Sequence, residues 1–127
     1  MPRISEKIIF PELSFRICGL CFDTHNRLGR YRSETSYGDA LETLLKEEGI
    51  PYERELRLPP SFKGEREGRN RPDFIIDDKL VLELKTKPIV TREDYDQVKR
   101  YLAVTGSKLG ILVNFRSKYL TPKRVLK

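Results

Sequence analysis

Apolar positions recur along this chain with two different periods, and the switches between them predict an ordered series of helices and strands. From Glu12 to Arg27 the residues Leu13, Ile17, Leu20, Thr24 and Leu28 return every three or four positions, the spacing of one buried helical face, and Gly29 interrupts it. Ser33 is placed to cap a second helix running to about Glu48, with Gly49 just past its end. Tyr37, Leu41, Leu44 and Leu45 form its inner stripe, whereas Glu42, Lys46 and Glu47 face outward. Pro51 opens a strand over Tyr52 to Leu58, and Pro59 to Pro72 reads as a long polar loop. Two apolar, β-branched runs follow, Asp73 to Ile76 and Leu80 to Thr86, joined by a turn through Asp77–Asp78–Lys79, and Pro88 ends the second. Thr91 to Val104 is an amphipathic helix with Thr91 as its cap and Glu93 and Asp94 in its first turn, stopped by Gly106. Leu109 to Phe115 is almost wholly apolar, as a strand buried on both faces must be.

The order helix, helix, strand, strand, strand, helix, strand predicts an α/β fold in which a mixed central sheet is flanked by helices. The 127 residues contain no repeat, low-complexity tract or linker, so residues 1–127 are expected to form a single domain. With 38% hydrophobic and 35% charged residues the chain has a core to bury and is not of the disordered class. No apolar run approaches the ~18 residues that span a bilayer, and the N-terminus lacks the features of a signal peptide. Two cysteines make no disulfide framework, and together these features lead us to expect a reduced, cytoplasmic protein.

Charge adds a direction. The 25 Lys and Arg against 19 Asp and Glu give +6, which favours polyanionic partners. The excess is concentrated in the long loop, where Lys63, Arg66, Arg69 and Arg71 face Glu65 and Glu67, and in the last twelve residues, where Arg116, Lys118, Lys123, Arg124 and Lys127 meet no acid.

The candidate chemistry lies in Pro72-Asp73 and Glu83-Leu84-Lys85. Charges set inside apolar strands cost several kcal/mol unless they are paired or hold a metal. Glu83 and Lys85, two apart, share a strand face. Asp73 joins that face if it lies opposite Glu83, a pairing centred on Asp78 that requires an odd-numbered loop such as the three residues 77–79; a two-residue turn would put the acids on opposite faces. The competing account is an edge-strand ion pair of Glu83 with Lys85, with Asp73 as a turn residue. Glu34 heads the buried stripe of the second helix, where it either joins these groups or simply complements the helix N-terminus. Gln97 and Tyr101, four apart, share one face of the last helix.

Taken together, these residues resemble the PD-(D/E)xK nuclease superfamily and, within it, the GxxExxY group of small proteins. Pro72-Asp73, Glu83-Leu84-Lys85 and Gln97-x-x-x-Tyr101 stand in the order and spacing of that pattern, Leu28-Gly29 followed by Glu34-x-x-Tyr37 resembles the helix that names the group, and Leu109 to Phe115 its closing strand. The likeness spans residues 12 to 126; one departure is Tyr31, where the motif has glycine three before the Glu, which bears on how the chain enters that helix. The resemblance implies a restriction-endonuclease-like αβββαβ core with an extra N-terminal helix. It implies that Asp73 and Glu83 bind Mg²⁺ or Mn²⁺, with the backbone carbonyl of Leu84 and with Glu34 as a further acid, and that Lys85 orients or activates water and stabilises charge on the phosphate. Gln97 and Tyr101 are similar to the helix motif of RecB-type and lambda-exonuclease-type members, which implies contacts to nucleic acid or support of Lys85. In RecB-like relatives a histidine from a preceding helix completes the metal site, which makes His25 a candidate ligand beside its plain alternative of a helix residue with satisfied nitrogens.

The expected function is therefore metal-dependent hydrolysis of phosphodiesters in nucleic acid, with DNA and exonucleolytic cleavage favoured by the Gln97–Tyr101 pair. Lys63, Arg66, Arg69, Arg71, Arg116 and Lys118 are expected to grip the backbone, with little sequence specificity because no recognition helix is evident. The rival is a non-catalytic nucleic-acid-binding or partner-binding domain that kept the fold, and a third reading is a small oligomeric scaffold with a surface ion-pair cluster. A homodimer is compatible with the resemblance. Cys18, Cys21 and His25 give only three potential zinc ligands on one helix, where structural sites take four from two elements; two cysteines cannot hold an iron–sulfur cluster, so core packing accounts better for both thiols.

Overall fold

The computed structural model describes residues 9–127; residues 1–8, part of the N-terminal stretch read above for targeting signals, lie outside them. Helix α1 spans Pro11–Leu28, with proline in its first turn where a missing N–H costs nothing. Its inward face is Ser14, Ile17, Cys21 and Thr24, so Leu13, Leu20 and Leu28 of the predicted stripe are only half-buried. Ser33 caps α2, Glu34–Glu47, by accepting the Ser36 N–H at 3.1 Å, so Tyr31 in place of glycine does not disturb the start of this helix. Tyr37, Gly38, Leu41 and Leu45 are its buried residues.

Strand β1 covers only Tyr52–Arg54, not the predicted Tyr52–Leu58, because Glu55 turns into the left-handed region at φ 53° and takes the chain out of the sheet. Strands β2, Phe74–Ile76, and β3, Leu80–Lys85, pair antiparallel with Ile76 opposite Leu80, so the connection is the three-residue loop 77–79. Asp77 and Asp78 both take positive φ there, 52° and 55°, a conformation that Asp tolerates better than most residues. Helix α3, Arg92–Thr105, opens on a capping box between Thr91 and Asp94 and closes at Gly106. Strand β4, Leu109–Asn114, runs parallel to β3. A further strand unforeseen in the sequence, β5 at Lys123–Leu126, pairs antiparallel with β4.

The sheet order is β1-β2-β3-β4-β5, mixed as predicted. Strands β3 and β4 sit at its centre, and their side chains alternate between two apolar clusters. Leu80, Leu82, Leu84, Ile111 and Val113 pack with Ile17, Tyr37, Leu41 and Leu45 of α1 and α2. Val81 and Leu112 pack with Val98, Tyr101 and Leu102 of α3 and Val125 of β5. Helices thus cover both faces, and the β3–α3–β4 crossover brings the carboxyl ends of two parallel strands side by side. No helix of the described residues is long and apolar enough to cross a membrane.

Helix α3 meets β4 at Gly110, where an added Cβ would collide with Val98 Cγ1. Val98 is fully buried, so it has nowhere to retreat. Gly110→Val is accordingly expected to destabilise the protein by about 1–3 kcal/mol through overpacking. An unchanged urea midpoint would show that the helix and sheet can separate there without cost.

Candidate active site

Alternation along β3 sends Leu80, Leu82 and Leu84 toward α1 and α2, and hence Glu83 and Lys85 toward the opposite face. The β2–β3 register, continued one step past Phe74↔Leu82, sets Asp73 opposite Glu83 on that same face. The two acids then substitute for the ladder bonds missing beyond the end of β2. The Asp73 N–H donates to Glu83 Oε1 at 3.0 Å, and the Leu84 N–H donates to Asp73 Oδ2 at 2.7 Å. The Lys85 carbonyl accepts from Phe115 on the β4 side at 2.8 Å, so the Leu84 carbonyl turns to the opposite edge, toward Asp73.

Burial makes this arrangement electrostatically costly. Glu83 is 4% exposed, and its carboxyl is pushed up to about 9, first by burial and then by the neighbouring Asp73 carboxylate. Asp73 is also pushed up by burial, against the hydrogen bond from Leu84 N–H. Across a cleft of about 90 Å³, lined by Glu34, Arg54, Glu55, Asp73 and Leu84 among others, Glu34 stands at the exposed rim, its carboxyl raised by partial burial and by the Asp73 charge. Lys85 opposes the rise at all three carboxyls.

Lys85 itself is held from α3. Its Nζ donates to Gln97 Oε1 at 2.8 Å and lies 3.8 Å from both Glu83 Oε2 and Asp94 Oδ1. Tyr101, one turn beyond Gln97, is 2% exposed; burial and then the Glu83 charge raise its hydroxyl, and the Arg71 backbone N–H offsets part of that.

Two groups that the sequence reading passed over belong here. Asp94, read only as a first-turn acid, accepts from Lys87 Nζ and from the Thr91 N–H, each at 2.8 Å, and faces Lys85 as well; although burial opposes it, these bonds keep its carboxyl low. Its double role depends on α3 beginning against the end of β3, which no local pattern announces. Arg54 is the other, bonded to Asp39 at 2.8 Å and Glu42 at 3.1 Å and passing close to Gly38 in the cleft floor.

The structure therefore brings together Glu34, Asp73, Glu83, Leu84, Lys85, Gln97 and Tyr101. Among the described residues His25 makes no hydrogen bond or ion pair with this group: the imidazole Nε2 lies 2.9 Å from the Ser117 carbonyl, beside the Phe115 ring. Cys21 is fully buried, with its thiol pushed up by burial, and Cys18 is half-buried, so both thiols lie in or beside the core. Among the described residues no three His, Cys, Asp or Glu side chains converge tightly enough to enclose an ion unaided. The loop arginines and lysine, Lys63, Arg66, Arg69 and Arg71, are all exposed, on a loop tied down from within by Asn70. That buried amide donates to Glu65 at 2.8 Å and accepts from Arg100 at 2.9 Å, so the loop is ordered and leads through Arg71 and Pro72 directly into Asp73.

Comparison with known proteins agrees with this fold. The crystal structure of SSO0001 is similar in fold, with a TM-score of 0.56 at 19% identity over 99% of this chain and 78% of that one. No curated protein matches the chain. A family model described as the PD-(D/E)XK nuclease superfamily matches residues 11–125, from the start of α1 into β5. With an αβββαβ core of restriction-endonuclease-like type and an Asp–Glu–Lys set at the broken end of its central hairpin, the chain belongs to the PD-(D/E)XK nuclease superfamily.

Proposed function

We propose that this protein is a divalent-metal-dependent nuclease that hydrolyses phosphodiester bonds, and that the Asp73–Glu83–Lys85 group carries the reaction. The observation behind the proposal is the electrostatic imbalance of the site. Two apposed carboxyls, Glu83 buried and Asp73 half-buried, and a third at the rim share Lys85 as the cation that lowers them all, an arrangement that stores a cost unless a further positive charge joins it.

The donors fit Mg²⁺ or Mn²⁺. They are hard oxygens: the Asp73 and Glu83 carboxylates, the Leu84 carbonyl, and Glu34 directly or through water, two such acids being a usual protein share for an ion that keeps most of its waters. His25 is not in this set. When bound, the ion supplies Lewis-acid stabilisation of the phosphate and an acidified water. The chain's own part is positional. Gln97 fixes the Lys85 ammonium so that it can orient the attacking water and donate to the charge that develops on the phosphate, and Tyr101 keeps water from the back of the site. The ordered loop 59–72 presents Lys63, Arg66, Arg69 and Arg71 to the phosphate backbone, a salt-sensitive and sequence-blind grip. The likeness of Gln97 and Tyr101 to the exonuclease helix motif supports DNA cut from an end.

The test is cleavage of labelled linear and circular, single- and double-stranded DNA in Mg²⁺, Mn²⁺ or EDTA. Degradation of the linear forms alone, only with metal, is the expected result. Binding without cleavage under every condition would replace this reading with a non-catalytic module.

Asp94 should matter through Lys85. Asp94→Asn keeps the shape of the cap but removes the charge facing Lys85 and Lys87, and a drop in kcat of about ten-fold with KM little changed is expected. A purely capping role would instead lower the melting temperature and leave kcat alone.

A further inference from the structure

Beside the cleft, where the α1–α2 turn meets the segment after β4, an aromatic ring stands in solvent between cations. Tyr31 is 76% exposed, with the Arg30 guanidinium carbon 5.2 Å and the Arg116 guanidinium carbon 5.6 Å from its ring centre. The ring does not sit on a loose loop. Tyr37 Oη donates to the Gly29 carbonyl at 2.5 Å and accepts from the Arg32 N–H at 3.2 Å, while Arg30 Nε donates to the Arg116 carbonyl at 2.8 Å. Tyr37 in turn stacks on Phe115 at 4.2 Å, so the turn and the strand end are locked to each other.

The cations here have unspent donors. Among the described residues the terminal guanidinium nitrogens of Arg30 and Arg116 make no hydrogen bond and neither residue forms an ion pair with a carboxylate, while Arg116 Nε is enclosed without a partner. Residues 26–33 and 114–127 contain no Asp or Glu. A second pair of the same kind lies close along the chain, Lys118 Nζ 5.5 Å from the ring centre of Tyr119, which is 77% exposed. The cluster lies close to the site along the chain and the sheet: Tyr31 precedes the cleft residue Glu34 by three residues, and Arg116 follows by two residues Asn114, the register partner of Lys85.

We infer that Tyr31, Arg30 and Arg116 form a preorganised nucleotide subsite that binds an unpaired stretch of nucleic acid beside the cleft. The inference rests on the nucleic-acid substrate proposed above and names its form as single-stranded. A guanidinium with free N–H groups is matched to a phosphate oxygen, and an exposed, immobilised ring offers a stacking surface to any base. Bases in a duplex are already stacked on their neighbours and have no free face to offer, so the aromatic contribution selects unpaired nucleotides. The guanidiniums contribute to both forms.

Fluorescence anisotropy with a fluorescein-labelled oligothymidylate and a blunt duplex of equal length tests this. Working in EDTA keeps the probes intact and separates binding from cleavage. Tyr31→Ala is expected to weaken oligothymidylate binding about ten-fold and duplex binding less than about two-fold, with Tyr31→Phe close to wild type. Arg116→Gln is expected to weaken both and to reduce the slope of log K against log salt by about one. Oligothymidylate binding by Tyr31→Ala equal to wild type, an equal loss for both probes, or no oligothymidylate binding by the wild-type protein would each overturn the inference. Tyr31 is exposed, so matched thermal melts serve to exclude misfolding. Because no cleavage is scored, a protein that stacks on Tyr31 but never cuts would uphold this subsite and sink the nuclease reading, and normal cutting with an indifferent Tyr31→Ala would do the reverse.

Discussion

Alanine at position 85 is expected to lower the single-turnover cleavage rate by on the order of 10²–10³-fold at saturating Mn²⁺, while binding of the uncut strand in EDTA stays close to wild type. Lys85 is the cation common to the three carboxyls, and its ammonium is fixed by one short bond to Gln97. Removing it takes away the donor to the developing phosphate charge, and it also lets Glu34, Asp73 and Glu83 rise further. Two effects should therefore appear together: slower chemistry, and a higher metal concentration for half-maximal rate. Asp73→Ala should remove metal-dependent cleavage altogether, since Asp73 both faces the cleft and ties the Leu84 N–H in place. Gln97→Ala, which frees the ammonium without deleting it, should fall between wild type and Lys85→Ala. Cleavage that persists unchanged in both Lys85→Ala and Asp73→Ala would belong to a different site or a different protein.

The register that makes this site was legible because charge and period constrain each other. An odd-numbered loop centred on Asp78 is what puts Asp73 and Glu83 on one face, and the three residues 77–79, with Asp77 and Asp78 at positive φ, supply it. The central strands were legible for the same reason in the apolar sense: β3 and β4 are buried on both sides and read as nearly unbroken apolar runs. The edges were not. Strand β5 buries Val125 alone, with Lys123, Arg124 and Leu126 exposed, so its four residues carry no alternation to detect and looked like a basic tail. Strand β1 was overextended because nothing in Glu55 announces a left-handed turn.

Among the candidate side chains, those on regular elements with a fixed period, Lys85 with Gln97 and Glu83 with Asp73, came together as their spacing required. His25 did not, since its helix face turns to Ser117, and a lone residue on an amphipathic helix does not reveal which neighbour it meets. Asp94 escaped notice for the opposite reason. Its capping role explains it fully at the level of sequence, and its second partner comes from a strand end nine residues earlier in the chain.

The same carboxyls that prepare the site for metal should make the metal-free protein sensitive to base. In the fold, burial first and the Asp73 charge second raise the Glu83 pKa from 4.5 to about 9, so between those values the native state holds a proton that the unfolded chain has released. The stability tied to that proton is fully present below about pH 4.5 and is lost as pH rises toward 9; the upward shift of Asp73 acts in the same sense. In EDTA, stability measured by urea unfolding is therefore expected to fall by several kcal/mol between mildly acidic and mildly alkaline pH. Glu83→Gln, which keeps the shape and stays neutral, should flatten that dependence and be more stable than wild type at pH 8. Divalent metal displaces the proton, so the stabilisation by Mg²⁺ or Mn²⁺ should grow with pH in wild type and vanish in Glu83→Gln. If Glu83→Gln instead follows the wild-type curve in EDTA, Glu83 is ionised in the native state, and the imbalance on which the metal reading rests does not exist.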